Sequence, residues 1–155
     1  MINFRRTKMF DLYMNERYDD VICFASQCLE YNPKDIYALS YIAKCYEKLK
    51  KQDEAIEVLK HILDIDNTNI SAKIDLFNIL YKNNRDDEAK QLVEELLDSD
   101  DEAIKNNKSY YQKAKIAIEY SIRRKLRRST FTRRKVRHFN SIEEFEDAHV
   151  NLYIK

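Results

Sequence analysis

The sequence predicts an all-α protein built as a stack of repeated helix pairs. Three observations carry this reading: apolar residues at helical spacing, a recurrence at 34 residues, and the absence of glycine. Between Tyr37 and Tyr46, Leu39, Ile42, Ala43 and Tyr46 are spaced 3, 1 and 3. After a polar turn at Lys50-Lys51-Gln52-Asp53, residues Ala55, Ile56, Leu59, Ile62 and Leu63 repeat the stripe. Moving the frame by 34 residues sets Asp53-Glu54-Ala55 on Asp87-Glu88-Ala89 in one direction and on Asp19-Asp20-Val21 in the other. A fixed period of this length with helical content is the signature of a solenoid. With no Gly and one Pro, a sheet protein that needs tight turns is disfavoured. Helices joined by Asn- and Asp-bearing turns, such as Lys82-Asn83-Asn84-Arg85, suit the composition.

Taken in order, residues 2–15 form a first helix A with Phe4, Met9, Phe10 and Tyr13 as its larger apolar groups. Asp19 or Asp20 opens helix B, whose Val21, Ile22, Phe24, Ala25, Cys28 and Leu29 make a broad apolar face. Asn32-Pro33 stops it, because the residue before proline avoids the helical region and proline fits the first turn of the next helix. The second helix A runs from about Asp35 to Leu49. Asp53 is the expected N-cap of the second helix B, and Asp86 or Asp87 that of the third. Asn69 or Ser71 opens the third helix A, with Ile74, Phe77, Ile79, Leu80 and Tyr81; Leu92, Val93, Leu96 and Leu97 face inward from the last helix B.

A repeat stack leaves its final apolar face bare unless something covers it. The candidate cover is Tyr110 to Leu126, where Tyr110, Tyr111, Ala114, Ala117, Ile118, Ser121, Ile122 and Lys125 recur at spacings of 3 and 4. It follows the polar stretch Lys105–Ser109. Three units over 2–103 (about 2–33, 35–67 and 69–101), a basic capping helix over 108–128, and a basic tail over 129–155 are therefore expected. The tail ends in a short amphipathic helix: Asn140-Ser141-Ile142-Glu143-Glu144 reads as a capping-box start, and Ile142, Phe145, His149 and Leu152 form its stripe. About thirteen residues is marginal for a lone helix, so it docks on the solenoid or is ordered by a partner.

Charge is informative once divided. Residues 1–103 hold 14 Lys and Arg against 22 Asp and Glu, a net −8; residues 104–138 hold 13 against 1, a net +12; residues 139–155 hold 1 against 4, a net −3. The overall +1 thus hides a dipolar chain. Glycine-rich phosphate loops are excluded, and no run approaches the roughly 18 apolar residues of a membrane span. Met1–Arg6 lacks a signal-peptide core, so a cytoplasmic site is expected, with nuclear import or signal-less secretion as variants. Cys23, Cys28 and Cys45 lack metal-site spacing and read as buried reduced thiols, and the three His are scattered. No metal, cofactor or catalytic constellation is expected.

The repeats resemble the tetratricopeptide repeat family over roughly residues 2–103. The matching residues are a small residue in the first helix (Ala43), an aromatic three later (Tyr46), an alanine opening the second helix (Ala55, Ala89), and Pro33 at a repeat exit. The middle unit matches best. The first carries Met9 and Val21 at small positions, and the third carries Phe77. The resemblance implies a right-handed superhelix that binds other proteins without being an enzyme, as adaptor, scaffold or chaperone-like module. It also implies a groove lined by the A helices, presenting Arg6, Phe10, Tyr13, Tyr37, Tyr41, Lys44, Lys48, Asn78, Tyr81 and Lys82. Tyrosines offer large contact area with few rotamers to freeze, and neighbouring lysines favour an acidic or amphipathic segment. A subclass that clamps chaperone carboxylates would use Arg6, Phe10, Tyr41, Ser71 and Asp75; only Arg6 is cationic and Asp75 would repel, so such binding is not expected. A bacterial secretion-type chaperone of three repeats is an alternative of similar length, although those usually carry an extra N-terminal helix and an acidic balance.

The basic patch of Arg123, Arg124, Arg127, Arg128, Arg133, Arg134, Lys135 and Arg137 has several readings. It is a solvated terminus, a contact for nucleic acid through counterion release, or a means of self-association with the acidic solenoid. The run also resembles a bipartite nuclear import signal. Phe131 is the only aromatic within it, so base stacking is poorly supported. The frame itself is testable. Replacing Ala55 by Leu should overpack the best repeat and cost roughly 1–3 kcal/mol in a chemical denaturation series.

Overall fold

A computed structural model describes residues 2–136 of the chain, and the side chains of residues 4–129. Helices α1 (Ile2–Met14), α3 (Ile36–Lys48) and α5 (Ile70–Lys82) take the A position, each 13 residues long and beginning 34 residues after the last. Helices α2 (Tyr18–Tyr31), α4 (Gln52–Ile65) and α6 (Asp86–Leu97) take the B position at the same interval. A five-residue helix α7 (Glu102–Asn106) and the long α8 (Lys108–Val136) follow. No strand occurs among the described residues.

The turns repeat as faithfully as the helices. Each A helix ends with one residue in the left-handed region: Glu16 (φ 59), Lys50 (φ 60) and Asn84 (φ 56). Around Lys50, the Lys51 N–H donates to the Tyr46 carbonyl at 2.9 Å and the Lys50 N–H to that of Glu47 at 3.1 Å. Equivalent pairs close the other two turns, Arg17 to Leu12 with Glu16 to Tyr13, and Arg85 to Leu80 with Asn84 to Tyr81. This is the Schellman closure usually made with glycine, here made three times without one.

The closure also explains why the expected B-helix caps are displaced. Arg17, Lys51 and Arg85 occupy the cap positions and offer no side-chain cap. Asp19, Asp53, Asp86 and Asp87 sit one or two residues further in, within the first turn, where their charge favours the helix N-terminus without capping it. The second and third A helices are truly capped. Asp35 Oδ1 accepts from the N–H groups of Tyr37 (3.0 Å) and Ala38 (3.2 Å), and Asn69 Oδ1 from that of Ala72 (3.0 Å).

The core runs along the stack. Ala55 and Ala89 are completely buried and let each B helix approach its A partner, while Leu59, Ile62, Leu76, Ile79, Leu80, Val93 and Leu96 fill the layers between. Met9, Ala25, Cys28, Ala38 and Ile42 form the corresponding packing at the front, joined to the main core through Leu29, Tyr46 and Val58. In the third unit Phe77 replaces a small residue, yet it is fully buried, stacking on Tyr81 at 5.6 Å and meeting Tyr111 of α8 at 5.7 Å. Of the first helix's larger groups only Met9 is buried, and Phe4 and Phe10 are exposed. Cys23 is exposed too, contrary to expectation, because five residues along a helix from Cys28 turns it outward.

Helix α8 packs on α6 with Tyr111, Ala114 and Ile118 buried and Ser121 and Ile122 half-buried; Tyr110 and Ala117, expected on that face, are exposed. It runs eight residues past Arg128, the expected end, since Ser129–Val136 holds no Pro, Gly or capping signal to stop it. Arg137 and the amphipathic segment expected over 141–153 lie outside the described residues. The turn geometry carries its own expectation. A left-handed non-glycine residue costs about 1–2 kcal/mol, and glycine returns about half of that as chain entropy. Lys50→Gly should therefore raise stability by roughly 0.5–1 kcal/mol and Asn84→Gly by less, since Asn tolerates this region, as read from paired thermal melts.

Candidate functional site

The A helices bring most of the candidate binding residues onto one connected face. Arg6 of α1 lies over the Tyr37 ring at 4.8 Å, and Tyr37 packs on Tyr41 at 5.0 Å, donating a 3.4 Å hydroxyl hydrogen bond to it. Tyr13 meets Tyr41 edge-on at 5.7 Å, and Lys44 approaches the same ring at 5.8 Å. Tyr13, Tyr37 and Tyr41 are half-buried, so each spends part of its surface on its neighbours and keeps part for solvent. Burial raises the Tyr13 and Tyr41 hydroxyls, so both remain protonated. Phe10 is 50% exposed at the open edge of α1, and Lys48 is exposed at the end of α3.

On α5, Tyr81 and Asn78 are half-buried, and Lys82 reaches Glu47 of α3 at 3.3 Å. This pair is exposed enough that its contribution to stability is small. Two carboxylates join the face. Glu47 is one. Asp75 is the other: burial pushes its carboxyl up, Lys44 draws it partly back, and Glu47 pushes it further. The face is thus cationic at its Arg6–Lys44 end and mixed toward α5. Beneath it, burial pushes the Cys45 thiol up to about 11, with Asp19 contributing, which keeps it an inert neutral group.

The basic patch lies elsewhere. Arg123, Arg124, Arg127 and Arg128 are exposed on α8, and with Tyr120 they line a hollow of about 220 Å³. Arg133, Arg134 and Lys135 lie on the same helix beyond the described side chains. Among the described residues, no helix is long and apolar enough to cross a membrane and no group of three His, Cys, Asp or Glu could hold a metal ion.

One polar site was not visible in the sequence at all. Asp86, only 6% exposed, accepts from Ser121 Oγ at 2.6 Å and from Lys125 Nζ at 2.6 Å, while the same ammonium reaches the Asn84 carbonyl at 3.2 Å. Burial alone would push the Asp86 carboxyl up, but the Lys125 and Ser121 hydrogen bonds outweigh it and hold it low. Lys115 adds a 3.3 Å ion pair to Glu94 nearer the start of α8. The cap is therefore pinned to α6 by charge as well as by apolar burial.

Residues 50–116, spanning the second helix pair's B helix to the start of α8, match the tetratricopeptide repeat family. A TPR repeat-containing protein of Methanocaldococcus jannaschii is 29% identical over 93 residues, 60% of this chain and 28% of the relative. The stretch from Lys50 to Ile116 resembles the tetratricopeptide repeat family. The chain spans little more than a quarter of that archaeal relative's length. The helix stack is similar in fold to the type III secretion translocator chaperone SycD of Yersinia enterocolitica, with a TM-score of 0.68 at 13% identity, over 79% of this chain and 86% of that one.

The low-lying Asp86 carboxyl makes the docking of α8 pH-dependent. A carboxylate held below its unfolded value of about 3.9 stabilises the fold above that pH, and the contribution disappears as the pH falls through the folded value. Wild type should therefore lose stability below about pH 4 more steeply than Asp86→Asn, measured by urea denaturation at stepped pH. Near neutrality Asp86→Ala should cost about 1–3 kcal/mol, because it strips a buried acceptor from two donors.

Proposed function

We propose that this protein-interaction module is a non-enzymatic adaptor or chaperone-like binder that receives an acidic or amphipathic peptide or helix along its A-helix face. The observation that carries the reading is the linked aromatic row Tyr37–Tyr41–Tyr13, half-exposed, with Arg6 and Lys44 stacked on its rings. Rings already held by their neighbours lose little freedom on binding, which is what makes tyrosine effective at an interface. Cations seated over rings keep their charge available to an incoming carboxylate. Apolar residues of the ligand would cover the exposed ring edges and Phe10, and its acids would face Arg6, Lys44 and Lys48. Asp75, shielded and held up by burial, would disfavour an acid placed toward α5, so the charge pattern also gives the ligand a direction.

The likeness in fold to a translocator chaperone supports the same kind of role, holding an extended or helical client, without naming the client. The experiment is a pull-down from native lysate with and without nuclease, compared with Tyr41→Ala/Lys44→Ala after its melting temperature has been checked. A protein that survives nuclease and is lost, by roughly tenfold or more in recovery, with the folded variant upholds the proposal. Recovery that collapses with nuclease and ignores the variant transfers the function to the basic patch on α8.

A further inference from the structure

A second concentration of positive charge lies away from α8, where the start of α1 meets the connection between α2 and α3. A hollow of about 510 Å³ opens there, lined by Arg5, Arg6 and Lys34 together with the rings of Tyr31 and Tyr37. Met9, almost wholly buried, adds an apolar surface to it. Each guanidinium is held against a ring, Arg5 over Tyr31 at 5.4 Å and Arg6 over Tyr37 at 4.8 Å. Cations seated this way keep their N–H donors and lose little freedom when a ligand arrives. The carboxylate in the lining, Asp35, is spent on the start of α3, where its Oδ1 accepts from the Tyr37 and Ala38 N–H groups. Among the described residues no ion pair engages Arg5, Arg6 or Lys34, whereas Lys60, Arg85 and Lys125 each hold an acid. Three cations around one hollow, with its acid already committed, suit an anion of more than one charge.

We propose that this hollow takes a phosphorylated side chain of the peptide ligand, which rests on the A-helix face being that ligand's track. Arg6 and Tyr37 belong to both, so a peptide lying on the tyrosine row delivers its side chains to the hollow. The charge selects phosphate over carboxylate. A phosphomonoester carries nearly two charges and three acceptor oxygens, against one charge and two oxygens. Two guanidiniums and an ammonium offer more donors than a carboxylate can use, and Arg meets phosphate bidentately. The volume agrees, since 510 Å³ falls within the range of small-ligand sites and exceeds what a carboxylate alone would fill. Nucleic acid fits less well, because its successive phosphates call for cations strung along a track. Here they line a single hollow, on a stretch (residues 1–103) whose net charge is −8.

The test presents the immobilised full chain with degenerate short-peptide libraries that differ only at a central residue. That residue is phosphorylated (phosphoserine, phosphothreonine and phosphotyrosine in equal parts), unphosphorylated, or Glu. Wild type should retain the phosphorylated library about tenfold better than either of the others. Arg5→Gln/Lys34→Gln should abolish that margin while melting with the wild type, and Lys34→Glu, at an exposed position, should do the same as a second variant. Loss with these variants but not with Tyr41→Ala/Lys44→Ala upholds the phosphate site and removes the A-helix face as its track. Equal retention of the phosphorylated and Glu libraries overturns the proposal and leaves that face standing. A margin that survives both hollow variants also overturns it, since the phosphate is then bound elsewhere. No retention of any library overturns both. Inorganic phosphate or a single-stranded oligonucleotide that binds as tightly as the phosphorylated library, by calorimetry, assigns the hollow to a free anion or to nucleic acid and likewise overturns it.

Discussion

A helix pair of this kind cannot bury its own apolar stripe, and everything else in the structure answers to that constraint. Each pair covers the last: α3 on α2, α5 on α4, and α8 on α6. Stability is therefore local and sequential, a chain of neighbour contacts rather than one central core. The constraint explains why α8 is part of the fold and not an appendage. Without Tyr111, Ala114 and Ile118, the stripe of Leu92, Val93 and Leu96 would face water. The Asp86–Lys125–Ser121 cluster then does what apolar packing cannot, since it fixes where along α6 the cap sits.

The same arrangement separates two surfaces of opposite character. The A helices stand side by side and turn their tyrosines together, so a row of aromatic contact arises from residues far apart in the chain. The acid-rich B helices carry their charges outward and across to one another, as in Lys60–Glu88 at 2.8 Å and Arg85–Asp53 at 3.3 Å. These exposed pairs add little stability individually but keep the outer layer soluble. The positive charge is gathered on α8, at the far end from Phe10 and Tyr13.

How much of this could be read from the residues depended on whether the signal was periodic. The 34-residue frame was legible because Ala55 and Ala89, or Asp35 and Asn69, do the same job at the same place in successive units. The capping role of Asp53 was misplaced for a stereochemical reason: the helix start is set by the left-handed residue before it, and nothing in a lysine at position 50 announces φ 60. Of the aromatic face, the tyrosines stood out by type and Asp75 by its place at a clamp position, but Glu47 did not, since a carboxylate on a charged chain is unremarkable until its neighbours are known. Asp86 was hidden most completely. It sits in an acidic run where exposure is the ordinary expectation, and its partner is 39 residues away. The length of α8 was missed because its last turns carry no apolar period, only the lack of a stop.

The open edge at α1 has a consequence for how the molecule breathes. Among the described residues this helix packs against α2 and α3, and it leaves Phe4, Phe10 and Met14 in solvent. In a stack held by neighbour contacts, an element with one supported side has the lowest opening free energy. Thermal motion will loosen α1 more readily than α3, which packs on both α2 and α4. The aromatic row begins on that looser helix, so Tyr13 and Arg6 move with a hinged leaf while Tyr37 and Tyr41 stay on the firmer page beneath. A ligand that bridges the two would close the leaf, and the gain in rigidity would be felt along the whole array.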